Sequence, residues 1–266
     1  MGLPHKSIVY PVYSRRAGGL SLGINLFPGD KNCPFNCPYC EVFPFLNNPV
    51  YSNDLMEEEL RAAIGSAQKA GIPVKDICFS GNGEPTLSAD FAEALKRAGL
   101  VRSELVPKAA LVVISCGAGL LDERTFSLLK NAATGPLALD IWLKLDAGTP
   151  AWYAKMNRSK IPFEKLALKI KEFAACAPVT IQTMLCAVDG AGPPPEEENA
   201  WEKFMLELAA VSGTDGNGVR KVQLYGKARP APEDPKCTAL PEEYLKTRAE
   251  SLRRTLITAL PVEVYP

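Results

Sequence analysis

The sequence predicts an α/β fold arranged as a partial (β/α)6 barrel. Short apolar runs of strand length recur six times along the 266 residues. Helical spacing of apolar residues fills the intervals between them. Each interval is long enough for a crossover, which parallel strands require.

The strand candidates are 21–26, 76–80, 111–115, 141–145, 179–185 and 219–225, each five to seven residues long. Runs this apolar suit strands buried on both faces of a parallel sheet. Asp54 is placed to cap a helix over 55–70, stopped by Gly71 and Pro73. Ser88 is placed to cap 89–98, which Gly99 ends. Helical spacing continues over 122–131, 163–175, 196–211 and 242–259. That order implies right-handed βαβ units. Periodicity alone leaves a doubly wound open sheet as the alternative. The stretch 189–198, with Gly190, Gly192 and three consecutive prolines, reads as a loop. So does 229–241, with four prolines, which is expected to wrap over one end of the barrel. Neither marks a boundary, so 1–266 reads as one domain, with 226–266 an extension packing on the barrel.

Hydrophobic residues make up 47% of the chain and charged residues 23%, an ordinary balance for a globular protein. Lys plus Arg equal Asp plus Glu at 30 each, which argues against a broad nucleic-acid footprint. The longest apolar stretches fall short of the ~20 residues of a membrane helix. Residues 1–10 carry no apolar region of signal-peptide type. The expectation is therefore a cytoplasmic, non-membrane, monomeric protein. Its eight cysteines then read as thiols or metal ligands, not disulfides.

Cys33-Pro-Phe-Asn-Cys37-Pro-Tyr-Cys40 follows the first strand candidate directly. Three thiolates in eight residues repel one another unless a cation holds them. A structural zinc site takes four protein ligands, and the lone His5 is a poor fourth. A 4Fe–4S cluster normally takes four cysteines too, so three local ones leave one iron open. The amino and carboxylate groups of S-adenosylmethionine (SAM) can chelate such an iron, and one electron then breaks the adjacent S–C bond. A zinc knuckle, or three unrelated core cysteines, is the plainer reading.

CxxxCxxC with an aromatic residue, here Tyr39, before its last cysteine resembles the signature of the radical SAM superfamily. The resemblance implies a partial barrel of radical SAM type, a 4Fe–4S cluster on Cys33, Cys37 and Cys40, and SAM. It places Tyr39 beside the adenine. After the second strand candidate, Gly81-Asn82-Gly83-Glu84 resembles the family's segment for the methionine amino group. Period-two alternation puts Trp142, Lys144 and Asp146 on one face of the fourth candidate. By resemblance, Lys144 contacts the SAM carboxylate and Asp146 orients it. A structural Lys144–Asp146 pair is the alternative. Ser115 falls where the family places a polar residue near the ribose. Gln182 and Gln223 lie in apolar strands and read as facing the same cavity, or as satisfied core residues.

Three segments together are similar to compact Fe–S oxidoreductases related to the enzymes that build wyosine-type bases in tRNA. They are Ser14-Arg15-Arg16 with Ser21–Leu26, Phe79–Thr86, and Val222–Tyr225 with Arg229-Pro230. The chain departs from the tRNA-modifying members in lacking a flavodoxin-like domain and a basic excess. Gly226-Lys227-Ala228 also replaces the small residue that precedes their final Arg-Pro. A small molecule, a peptide or tRNA all remain open as substrate, with flavodoxin or ferredoxin as electron donor. Two other readings stand beside this one: a non-catalytic metal or electron-transfer protein, and cluster-dependent methyl or aminocarboxypropyl transfer. Cys78 and Cys176 read as core residues. Cys116, Cys186 and Cys237, at or beyond strand ends, are candidates for a second cluster or for hydrogen-atom donation. Arg15, Arg16 and Arg229 are candidates for an anionic substrate or are surface arginines, and His5 reads as an exposed ring.

Overall fold

The computed structural model describes residues 7–46, 50–211, 216–256 and 260–266. An antiparallel hairpin opens it, β1 (Val9–Ser14) against β2 (Gly19–Ile24). The cysteine loop follows, then α1 (Asn53–Lys69), β3 (Val74–Phe79), α2 (Phe91–Leu105), β4 (Ala110–Ser115), α3 (Glu123–Thr134) and β5 (Asp140–Lys144). A short helix α4 (Pro150–Met156) and α5 (Phe163–Ala174) lead to β6 (Pro178–Ala187). The chain continues through α6 (Pro195–Ala210), β7 (Gly218–Gly226), β8 (Thr238–Ala239), α7 (Glu242–Thr255) and β9 (Val262–Tyr265).

Strands β2 to β7 lie side by side in chain order, each pair parallel. A doubly wound sheet reverses its order at a switch point. Here the order never reverses, and the sheet curls into a half-barrel, with β1 at one edge and β9 at the other. The segment 226–266 contributes to the sheet itself: β9 pairs with β7, and β8 closes antiparallel on the end of β6.

Alternation along the strands separates two apolar regions. Ile77, Phe79, Leu111, Val113, Ile141, Leu143 and Ile181 face the helices and join the main core. Cys78, Val112 and Trp142 form a small separate cluster on the other face, inside the curl. Polar residues share that inner face with them, which is how a cavity arises there.

The structure corrects several local expectations. Ser52, not Asp54, caps α1, accepting from the Leu55 N–H at 3.4 Å. Ser88 Oγ accepts from the Asp90 N–H at 3.2 Å, and α2 begins only at Phe91. Gly99 does not end that helix. A Cβ there would lie 2.4 Å from Leu137 Cδ2, so the glycine is a packing contact and not a stop signal. The loop expected over 189–198 is cut short because Pro195 opens α6, where proline fits the first turn. Strand β1 escapes the apolar pattern because Pro11 interrupts it and Tyr13 is exposed, both tolerable on an edge. The small β8, β9 and α4 were not expected at all. His5 and the last residues of the helix expected over 242–259 lie outside the described residues. Among the described residues, no helix is long and apolar enough to cross a membrane.

Gly148, just after β5, abuts α6: a Cβ would lie 2.1 Å from the Trp201 nitrogen. Gly148→Ala is therefore expected to destabilise the fold by about 2 kcal/mol through overpacking, measured as a lower chemical-denaturation midpoint with an unchanged slope.

Candidate functional site

The cysteine loop is fastened to the barrel from two sides. On one side Asn32 pairs with the turn after β3, its N–H bonding Asn82 O at 3.2 Å and its carbonyl accepting from the Glu84 N–H at 2.8 Å. This approach needs Gly83, where a Cβ would sit 2.1 Å from Asn32 O. Gly81 has φ +119, a conformation open to glycine, and lies against Asn25. Asn82 is buried, its Nδ2 donating to Phe27 O at 3.1 Å and its N–H to Asn25 Oδ1 at 3.2 Å.

On the other side the Asn36 N–H bonds Asn157 O at 2.9 Å. Asn157 Nδ2 reaches both Cys37 Sγ at 3.7 Å and Asp146 Oδ2 at 3.1 Å. The Tyr39 hydroxyl donates to the same carboxylate oxygen. The other oxygen accepts from the Met184 N–H at 2.8 Å and faces Lys144 Nζ at 3.3 Å. Lys144 also bonds the Tyr225 hydroxyl and lies 4.6 Å from the Tyr39 ring centroid and 4.5 Å from that of Tyr225. The Asp146 side chain is fully shielded from solvent.

The three cysteines are half-buried, and the Cys40 N–H closes a tight turn onto Cys37 O at 3.0 Å. Burial pushes the Cys37 thiol up to about 12, with the Asp146 charge adding to the shift. A thiol in that setting stays protonated unless a metal cation replaces the proton. Cys33 shifts down, chiefly through a hydrogen bond with Cys116, while burial raises Cys116.

The remaining expected site residues are distributed less simply. Glu84 does not project into open space. It accepts from the Thr86 N–H at 3.1 Å, the Thr86 hydroxyl at 2.6 Å, the Ser115 hydroxyl at 2.8 Å and the Cys116 N–H at 2.6 Å. Glu84 and Ser115 thus face each other across β3 and β4. Gln182 donates to Gln223 at 2.8 Å, and Gln223 to Glu263 at 3.0 Å. Gln182 Oε1 is buried without a partner.

Inside the curl lies a cavity of about 360 Å³, walled in part by Tyr39, Cys40, Gly81, Trp142, Lys144 and Gln182. Cys78, expected as a core residue, stands at this wall, and burial pushes its thiol up to about 12. Cys40 and Gly81 therefore open onto one space. Asn157 and Tyr225 were not singled out from the sequence as site residues. The first follows a helix that the sequence pattern does not reveal, and the second reads as an ordinary strand aromatic. Cys186 and Cys237 are buried together, their sulfurs 3.5 Å apart.

Residues 31–188, more than half of the chain, match the family model described as "Radical SAM superfamily". The chain belongs to the radical SAM superfamily. Membership implies an enzyme that works with a 4Fe–4S cluster and SAM. A UPF0026 protein of Helicobacter pylori is 36% identical over 87 residues, 32% of this chain but only 28% of that protein. The chain thus matches well under two thirds of that relative. A UPF0026 protein of Synechocystis sp. is 27% identical over 245 residues, covering 87% of this chain and 79% of the relative. Among solved structures, a radical SAM methyltransferase from Sphaerobacter thermophilus has a TM-score of 0.66 at 15% identity, over 97% of this chain and 77% of that one. TYW1 with a lysine–pyruvate adduct bound has a TM-score of 0.56 at 16% identity, over 89% and 74%. Both likenesses are of fold. The radical SAM half-barrel here fits its cofactors in two observable respects. The three thiols come from one loop, of which Cys40 lines the inner cavity, although among the described residues they are not drawn together as metal ligands. The facing turn is kept narrow by Gly83.

Removing the Asp146 charge while Lys144 remains should be costly. Asp146→Asn is expected to destabilise the protein by about 3 kcal/mol, as breaking a buried pair does. Adding Lys144→Met should recover part of that loss. A double-mutant cycle in urea tests this, and strictly additive losses would refute the coupling.

Proposed function

We propose that the protein cleaves SAM reductively and directs the resulting radical at a substrate held in the inner cavity. The observation that carries this reading is the placement of Cys40, Tyr39 and Gly81 on one cavity wall, with Lys144 opposite the Tyr39 ring. When bound, the cluster and SAM supply a one-electron break of an S–C bond and an adenosyl radical.

Cys33, Cys37 and Cys40 hold the cluster in this reading. The turn from Gly81 to Glu84 presents backbone to the methionine end of SAM, and Glu84 serves by fixing that turn to β4. Lys144 offers its ammonium to the SAM carboxylate, and Tyr39 lends its ring face to the adenine. Asp146 is a positioning residue: it holds Tyr39, Asn157 and Lys144 at once. Ser115, engaged with Glu84, acts on the same turn and only indirectly on the ribose. Gln182 offers its unpartnered Oε1 as an acceptor near the cofactor or substrate, backed by Gln223. Reduced flavodoxin or ferredoxin delivers the electron. Glu84 and Ser115 thereby explain how a turn can recognise a ligand without its carboxylate touching it.

Anaerobically reconstituted protein given dithionite and SAM is expected to release 5′-deoxyadenosine, with an EPR signal that shifts when SAM is added. Cys37→Ser should lose both the cluster absorbance and the product. Absence of 5′-deoxyadenosine from cluster-loaded wild type would refute radical formation. Methylthioadenosine or S-adenosylhomocysteine in its place would move the reaction to group transfer.

A further inference from the structure

A second cavity, of about 390 Å³, lies where the half-barrel fails to close. Its walls include Val12 and Ser14 of β1 on one side and Tyr225 and Tyr265 of β7 and β9 on the other. It shares Arg16, Tyr39, Met184 and Tyr225 with the inner cavity, so the two spaces adjoin. A molecule passing through this gap reaches the wall that carries Tyr39 and Lys144.

The charge around the gap is uneven. Arg15, Arg16, Lys227 and Arg229 line it, against Glu41 as its one carboxylate side chain. Arg229 holds Glu41 at 2.8 Å and is 63% exposed. Lys227 donates to Arg229 O at 2.8 Å, and Arg15 to Pro266 O. Lys144, on the inner wall, has Asp146.

Arg16 differs from all of these. Among the described residues it makes no ion pair and no hydrogen bond. Its guanidinium carbon lies 4.9 Å from the Tyr225 ring centroid and 5.8 Å from that of Trp142. The two rings flank it, while its N–H donors remain without acceptors. Burial lowers its pKa, and the nearby charge of Glu41 offsets that only in part. Of the other carboxylates near it, Asp76 at the inner-cavity wall is shifted up by burial, partly offset by the Arg16 charge, and makes no ion pair with it; its Oδ1 is unpartnered.

We propose that Arg16 is a specificity residue that binds a carboxylate or phosphate group of the substrate as it enters between β1 and β9. This rests on the radical SAM reading for the reaction served, though the anion site stands on its own geometry. A planar guanidinium with free donors meets either group in a forked arrangement, and the low-dielectric wall strengthens the contact. Arg229 and Lys227 at the rim draw the anion inward without being spent on it. SAM also carries a carboxylate, so the same chemistry has two sources that the test must separate.

The test uses the cluster-loaded protein with SAM present. Inorganic phosphate and oxalate are titrated separately by calorimetry into wild type, Arg16→Gln, Arg16→Lys and, as a distant control, Arg61→Gln. At least one anion should bind wild type, and Arg16→Gln should weaken it by roughly 10- to 100-fold, the loss of one charge-assisted contact. Arg16→Lys should fall between, and Arg61→Gln should match wild type. The SAM-induced EPR shift should persist in Arg16→Gln, whose cluster content certifies its folding. Equal anion affinity in wild type and Arg16→Gln, or no anion binding at all, would overturn the proposal. Loss of the SAM shift in Arg16→Gln would overturn it too, by assigning Arg16 to the cofactor. If wild type binds the anion through Arg16 yet forms no 5′-deoxyadenosine, the anion site stands and the radical reading falls.

Discussion

One buried carboxylate links the parts of this site. Asp146 lies just past the end of β5, shielded from solvent, and takes groups from four separate segments. Tyr39 comes from the cysteine loop, Asn157 from the end of α4, the Met184 N–H from β6 and Lys144 from β5 itself. An isolated carboxylate in that position would be expensive to bury, so each donor stabilises the others' arrangement. Asn157 extends the network to Cys37. The loop that bears the thiols is thereby held in register with the barrel wall by polar contacts, added to the packing of Phe35 in the main core against Tyr153.

Glu84 does on the opposite side what Asp146 does here. Its four donors come from its own turn and from the end of β4, 31 residues away at Ser115. The glycines beside it free the backbone, and the carboxylate then fixes where that backbone lies. Between these two anchored carboxylates the loop from Asn32 to Cys40 is suspended, touching Gly83 at one end and Asn157 at the other.

The sequence disclosed what is local and concealed what is relational. Three cysteines within eight residues announce a metal centre because ligand spacing is a property of one loop. The parallel strands are legible because burial on both faces leaves continuous apolar runs. Chain order then places Lys144 and Asp146 on one wall. The roles of Glu84 and Ser115 are different: each looks like a ligand-facing group, and only the β3–β4 pairing shows that they face one another. Gly99 reads as a stop because its contact with Leu137 belongs to another segment. Asn157 has no signal in the pattern, since its partners lie 11 and 120 residues away.

A half-barrel leaves two strand edges where a closed barrel has none, and open edges invite pairing between molecules. In β1 the alternation of an antiparallel ladder turns the N–H positions of Val9, Pro11 and Tyr13 outward. Glu59 of α1 accepts from the first at 2.8 Å, and proline has no N–H to offer at the second. Only Tyr13 remains as an outward donor on that edge, too little to template a neighbouring strand. The irregular proline that hides β1 from sequence patterning is thus a guard against aggregation, placed where the fold must stay open.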